Sequence, residues 1–235
     1  MTLVSISDAQ RKPLSWANWI GTVRHGLPSN ALSMKKEPRG DYLAFLGRIS
    51  PEKGVDQAIA IAIRSGMKLK IAAKVDRADI DYFERKIKPL LNHPLVEFIG
   101  EIGPSEKADF LGNAAALLFP INWPEPFGLV MIEAMACGTP VIARPYGSVP
   151  EIIPDGICGF FVHDVEEGVD AVRRLCEIDR RGCRRHFELN FTAERMACDY
   201  VKIYQTLVDP QPASISLEEG VLNWMEAESS TPSTT

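Results

Sequence analysis

From about residue 41 the chain alternates short, almost purely apolar runs with longer stretches in which apolar positions recur every three or four residues. That is the pattern of repeated βα units in a parallel sheet buried on both faces. Tyr42–Leu46 reads as a buried strand closed by Gly47, followed by a helix from Val55 to Ala62 that ends at Gly66. The unit repeats with a strand at Leu69–Ala73, a helix from Ile80 to Leu91 carrying Phe83, Ile87 and Leu90 on one face, and a strand at Val96–Ile99. A helix then begins at Ser105, and Ala115–Pro120 reads as a strand running into a loop. Leu129 to Ala136 predicts a helix stopped by Cys137-Gly138, and Pro140–Ala143 a fifth strand. Asp155-Gly156 marks a turn before Gly159–Val162, Val165 to Ile178 has helical spacing, and Thr192 to Leu207 carries a last apolar stripe. Five strands separated by helices predict one doubly wound, Rossmann-like α/β sheet.

Both ends differ from this pattern. Residues 1 to 28 hold two short strands, Leu3–Ser7 and Ile20–Val23, around a short polar helix, too little to bury a core alone. The segment is expected to pack on something else. After Pro210 the sequence turns to Ser, Glu, Thr and Pro, and only Ser216–Met225 suggests a capped helical turn or two, with 229–235 expected to be disordered.

Composition narrows the functional classes. With 46% hydrophobic and 24% charged residues the chain is neither disordered nor fibrous, and a formal charge of −5 gives it no basic field for nucleic acid. No run of 18 apolar residues and no basic, apolar leader appear at the N-terminus, so a cytoplasmic protein is the expectation. The five cysteines form no Cys-x-x-Cys pair and are expected to be reduced. The four histidines lack metal spacing, so no metal or other cofactor is expected.

Two segments carry chemistry. Gly47-Arg48-Ile49-Ser50-Pro51-Glu52-Lys53-Gly54 lies between a strand and a helix, where open α/β sheets bind ligands. Arg48 offers a planar fork of donors and Lys53 a compact ammonium, together an anion site fit for a diphosphate, although a solvated loop with a Glu52–Lys53 surface pair explains the segment equally well. It is no P-loop, because Gly54 follows Lys53. The second segment runs from Trp123 to Pro140 and places Glu125 in a Pro-rich loop and Glu133 inside a helix, eight positions apart. A diphosphate on the N–H groups of Gly128, Leu129 and Val130 would set a sugar near Glu125 and a ribose near Glu133. Taken singly, each glutamate reads more simply as an ordinary helix or loop charge.

These motifs together, with Ala136–Ala143 and Gly147-Ser148-Val149-Pro150-Glu151, resemble the C-terminal, donor-binding domain of family-4 glycosyltransferases of the GT-B fold, Glu125 and Glu133 matching that family's Glu-x7-Glu motif. The resemblance spans about residues 40 to 207. It implies a retaining transferase that moves a sugar from a nucleotide-diphospho-sugar to an unknown acceptor (a sugar, lipid or small molecule) without a metal. Arg48, Lys53 and Glu125 would be catalytic, with the first two on the diphosphate and Glu125 on the sugar hydroxyls. Gly47, Phe127, Gly128, Leu129 and Glu133 would bind the donor, Glu133 through its ribose, and Ala73–Val75 with Gly100–Ile102 would line the base pocket. It also implies that most of an acceptor-binding N-terminal domain is missing: residues 1–35 would be its remnant and linker, 36–187 the nucleotide-sugar domain, 188–210 a crossing helix and 211–235 a tail. Little transfer by the isolated chain is then expected. The alternative is a non-catalytic nucleotide-sugar-binding module, self-associating or paired with an N-terminal-domain chain. A sugar-phosphate epimerase of the same double fold fits less well, because its residues around the glutamates differ.

Overall fold

A computed structural model describes residues 1–208 of the 235. The expected helical turns at 216–225 and the tail lie outside the described residues. The chain divides into two compact units, Met1–Asp199 and one beginning at Tyr200. The described part of the second is the end of one helix, on which the Tyr200 and Tyr204 rings stack with centroids 6.0 Å apart.

The first unit is built on a six-stranded, wholly parallel sheet: β3 (Tyr42–Arg48), β4 (Lys68–Lys74), β5 (Val96–Gly100), β6 (Ala116–Phe119), β7 (Val141–Ala143) and β8 (Gly159–Phe161). Their spatial order is β5-β4-β3-β6-β7-β8, so the chain winds outward from β3 to one edge, crosses back, and winds outward from β6 to the other. The strand order therefore reverses between β3 and β6, and ligands of such sheets sit in the crevice at the carboxyl ends of those two strands. Tyr42 to Phe45 and all of β6 are buried, which is why these strands read as unbroken apolar runs rather than alternating ones.

Helices α2 (Val55–Ser65), α4 (Pro104–Gly112), α5 (Leu129–Ala136), α6 (Val149–Ile152), α7 (Val165–Arg173) and α8 (Arg180–Asn190) cover the sheet, and α9 (Ala193–Val208) follows. Helix α2 packs against α7 and α5 against α8. On α5, Met131, Ile132, Ala134, Met135 and Ala136 are all buried, as expected of a helix sandwiched between layers. Glu133 is its one ionisable side chain.

Within the sheet domain four sequence expectations need correction. The sheet has six strands, not five, because Gly159–Phe161 pairs with β7. The helix expected from Ile80 to Leu91 is broken into a single α turn, α3 (Ile80–Tyr82), a π-type turn over Phe83–Ile87 and a 3₁₀ turn over Lys88–Asn92. Pro89 is the reason: it has no N–H to give and its ring crowds the preceding turn. The helix expected to reach Ile178 stops at Arg173 and continues only as a 3₁₀ turn. Helix α8 was not anticipated; its core-facing side is only Cys183 and Phe187, one turn apart, in a mostly polar segment whose Leu189 is exposed and which is opened by the Asp179 cap.

The N-terminal segment forms a two-stranded parallel sheet, β1 (Leu3–Ser5) with β2 (Trp19–Thr22), separated by α1 (Asp8–Arg11). The first strand ends at Ser5 rather than Ser7, because Ser7 caps α1 by accepting from the Gln10 N–H. The segment packs on the sheet domain, as its small size requires. The Ser7 hydroxyl donates to the Pro126 carbonyl at 2.5 Å, and the Asp8 and Ala9 N–H groups donate to the Glu151 carboxylate at 2.9 and 2.8 Å. Among the described residues no helix is long and apolar enough to cross a membrane.

Candidate active site

The carboxyl end of β3 delivers Gly47 and Arg48, and the loop after it delivers Lys53. The loop after β6 delivers Glu125 to Gly128. These residues, with Phe45, Phe119, Leu129 and Val130, line one cavity of about 400 Å³ at the reversal of strand order. Seven of the eight residues expected to form the site thus meet there. Glu133 lies in an adjoining recess of about 270 Å³, which shares Leu46, Gly47, Leu129 and Val130 with the first. That recess is also lined by Ala73, Lys74, Glu101 and Ile102, the two segments expected to flank a base. A bulge in β5, where Ile71 faces Phe98 but Ala72 faces Gly100, turns the 100–102 loop.

The charges are arranged in pairs that sequence reading did not foresee. Lys53 donates to the Glu125 carboxylate at 2.5 Å, not to Glu52, and both side chains are nearly buried, at 16% and 11% exposure. The Trp123 indole N–H donates to the same carboxylate oxygen at 2.8 Å, and the Lys53 ammonium lies 5.2 Å from the indole ring centroid. Lys107 pairs with Glu133 at 2.7 Å. Arg48, half exposed, makes only loose contacts with Glu52 at 3.7 Å and Asp76 at 3.5 Å. Lys74 in turn holds the Asp76 carboxyl below its usual range.

Helix α5 starts at the cavity wall. Its Met131 N–H closes on the Gly128 carbonyl, while helix geometry leaves the N–H groups of Leu129 and Val130 without an intrahelical acceptor. No acidic side chain occupies the first turn, so the partial positive charge there is available to an anion. Gly128 turns the chain into this helix at φ +80°, where a Cβ would stand 2.8 Å from the Met131 methyl and 3.2 Å from the Phe119 ring. The loop before it is clamped from behind. The Ser148 hydroxyl donates to the Phe127 carbonyl, the Ser148 N–H donates to the Glu125 carbonyl, both at 2.9 Å, and Gly147 approaches the Glu125 backbone so closely that a Cβ would stand 2.3 Å from its carbonyl oxygen.

Sequence reading gave no role to several wall residues. His25 lines the main cavity with its ring edge-on to Phe127 at 4.9 Å, and burial lowers its pKa, keeping the imidazole neutral at pH 7. Trp123 and Lys107 owe their place to contacts across loops, which no local spacing reveals. Cys137, Cys158 and Cys183 are buried free thiols, and Cys176 and Cys198 are exposed ones.

Known proteins resemble this chain in sequence and in fold. Residues 33–187 match the family described as glycosyl transferases group 1. A D-inositol 3-phosphate glycosyltransferase of Mycobacterium leprae is 33% identical over 154 residues, which cover 59% of this chain and 34% of that protein. An uncharacterized 42.6 kDa protein from the cps region of Klebsiella pneumoniae is 29% identical over 187 residues, 78% of this chain and 46% of its own. The chain therefore spans less than half the length of these curated relatives. Among solved structures, AviGT4, a glycosyltransferase involved in avilamycin A biosynthesis, superposes with a TM-score of 0.73 at 27% identity, covering 87% of this chain and 63% of that one. The Anabaena protein HepE, solved with UDP and glucose, shares the fold at a TM-score of 0.74 and 18% identity, covering 86% and 62%.

Proposed function

Because the chain belongs to the group 1 glycosyltransferases, we propose that its two adjoining cavities hold a nucleotide-diphospho-sugar and that the sugar is transferred with retention of anomeric configuration and without a metal ion. The observation that carries this reading is the convergence of Arg48, Lys53, Glu125 and the α5 N-terminus on one cavity, with Glu133 on its neighbour. Two cations and a helix N-terminus suit a diphosphate. Two carboxylates flanking that point suit vicinal hydroxyls, those of the sugar on Glu125 and of the ribose on Glu133. The Anabaena protein of the same fold was solved with UDP and glucose, the two parts into which such a donor divides.

The chemistry asked of the site is stabilisation of negative charge as the diphosphate departs. Lys53 has three N–H donors, so it can keep Glu125 and still reach a phosphate oxygen. Its low exposure makes its charge count for more than that of Arg48, which solvent screens. Arg48 adds a planar fork for the outer phosphate. Glu125, held by Trp123 from the side and by Ser148 through its backbone, presents a fixed acceptor to the sugar. Transfer by these 235 residues alone is expected to be slight, since a half-exposed Arg48 leaves the leaving group in contact with water.

Calorimetric titration with UDP, GDP, ADP and their sugar conjugates tests the reading. One nucleotide diphosphate is expected to bind, and Glu133→Ala and Arg48→Ala should each weaken it by about 1–3 kcal/mol, the cost of losing a charged hydrogen bond. Binding that neither substitution changes would remove the proposed site.

A further inference from the structure

The donor reading assigns Glu133 to a ribose but leaves its ionic partner, Lys107, without a part. We propose that Lys107 is a positioning residue: it holds the Glu133 carboxylate as a fixed acceptor for the ribose 2′-hydroxyl, so that the recess takes ribonucleoside diphosphates and turns away their 2′-deoxy counterparts. The inference rests on the donor reading above and adds a substrate class that reading leaves open.

Glu133 occupies a costly place for a carboxylate. It is the one ionisable group on α5, set among Met131, Ile132, Ala134, Met135 and Ala136, all buried, and its own side chain is only 13% exposed. A carboxylate there stays ordered only against a counter-charge. Lys107 supplies it at 2.7 Å from α4, which packs on α5 and whose first turn is pinned by the Glu106 carboxylate accepting from the Gly103 N–H at 2.7 Å. As a tie between two helices the pair is weak, since an apolar pair of similar volume joins them as well or better. As a way to fix an acceptor in a cavity wall it is effective.

The contact leaves the carboxylate able to bind. Lys107 is a point donor on Oε1, and a carboxylate has about four acceptor sites, so acceptors remain for vicinal hydroxyls. An arginine fork would cover both oxygens. The pair lines the recess that shares Leu46, Gly47, Leu129 and Val130 with the diphosphate cavity, so one ligand can span both. A ribose offers Glu133 two hydroxyls and a 2′-deoxyribose only one, and the missing partner leaves a fixed, desolvated acceptor unpaired; that is how a polar site rejects an analogue lacking a hydroxyl. Without Lys107 the carboxylate is better solvated when turned toward water. Its order must then be restored on binding, and a missing hydroxyl leaves less unpaired.

Calorimetric titration of the 235-residue chain with UDP, GDP and ADP and with the 2′-deoxy form of each tests this, on the wild type, Lys107→Met, Glu133→Ala and the double variant. Whichever ribonucleotide binds, the wild type is expected to prefer it to its deoxy form by about tenfold or more, the factor that a charged hydrogen bond produces. Lys107→Met should bind the deoxy form as the wild type does, with the preference reduced to about twofold, and should change nothing further once Glu133→Ala is present. Equal weakening of both forms by Lys107→Met would mark a merely structural pair and overturn the inference. So would a preference that survives Lys107→Met, a wild type with no preference, or a Lys107 effect that persists in Glu133→Ala, each of which leaves diphosphate binding in place. A wild type that binds none of these nucleotides removes the donor reading and this inference with it.

Discussion

Removing the Lys53 ammonium leaves the Glu125 carboxylate facing a nearly dry cavity wall with one remaining donor, the Trp123 indole. Breaking a buried ion pair from one side costs about 3–5 kcal/mol, because the orphaned charge stays desolvated. The residual exposure of 11% at Glu125 and the surviving indole bond place Lys53→Met near the bottom of that range, about 3 kcal/mol. Replacing Glu125 by Gln keeps an oxygen for Trp123 but sets an amide against the ammonium, at about 1–2 kcal/mol. The double variant Lys53→Met/Glu125→Gln removes both charges, so the cycle should close with a coupling of about 2 kcal/mol rather than additively. Urea unfolding is the assay: with m near 2 kcal/mol/M, Lys53→Met should lower the midpoint by about 1.5 M and the double variant by about 1.0–1.5 M, rather than the roughly 2.0–2.5 M that additivity would give. Additive effects, or a Lys53→Met midpoint equal to the wild type, would show that the pair is solvated and that Lys53 is not the low-dielectric cation the proposed mechanism needs.

Other consequences follow from the same geometry. Arg48→Ala should change stability by less than about 0.5 kcal/mol, since its ion pairs are loose and exposed, so a large loss in unfolding experiments would mean Arg48 holds the loop together rather than meeting a ligand. Gly128→Ala should cost about 1–2 kcal/mol for the left-handed backbone alone and more from crowding by Met131 and Phe119; normal stability with unchanged UDP binding would contradict the described entry into α5. His186 is kept below its ordinary pKa of 6.5 chiefly by burial, opposed by its bond to the Ile152 carbonyl, while its second nitrogen lies 3.3 Å from the Asn190 amide. The folded state therefore binds the proton less well than the unfolded one, so stability is full above pH 6.5 and falls as pH drops through the folded pKa. Urea midpoints at pH 7.5 and 5.5 should diverge less in His186→Gln than in the wild type, and an equal divergence would exclude this histidine as the source.

Much of this was readable from the chain. Long apolar runs such as Tyr42–Leu46 announce strands buried on both faces, and a glycine at a strand end followed by Arg48 and Lys53 pointed to the sheet's carboxyl edge, where these residues line one cavity. What escaped had weak local signals. Three residues of β8 make too short a run to stand out, α8 shows the core only Cys183 and Phe187, and one proline was enough to break the segment from Ile80 into three kinds of turn. The electrostatics of the site were less legible still. Lys53 and Glu125 are 72 positions apart, and Lys107 and Glu133 come from different helices, so their pairing is a property of the β3–β6 crevice rather than of either motif. His25 entered the cavity for the same reason, carried there by a segment whose own sequence says only that it must pack on something.

The central claim is that a nucleoside diphosphate lies across the reversal of strand order, and a crystal structure of the chain soaked with UDP tests it most directly. The diphosphate is expected within hydrogen-bond distance of Arg48, Lys53 and the Leu129 and Val130 N–H groups, with the ribose on Glu133. A UDP molecule bound elsewhere, with Lys53 still held by Glu125 and Glu133 by Lys107, would contradict it.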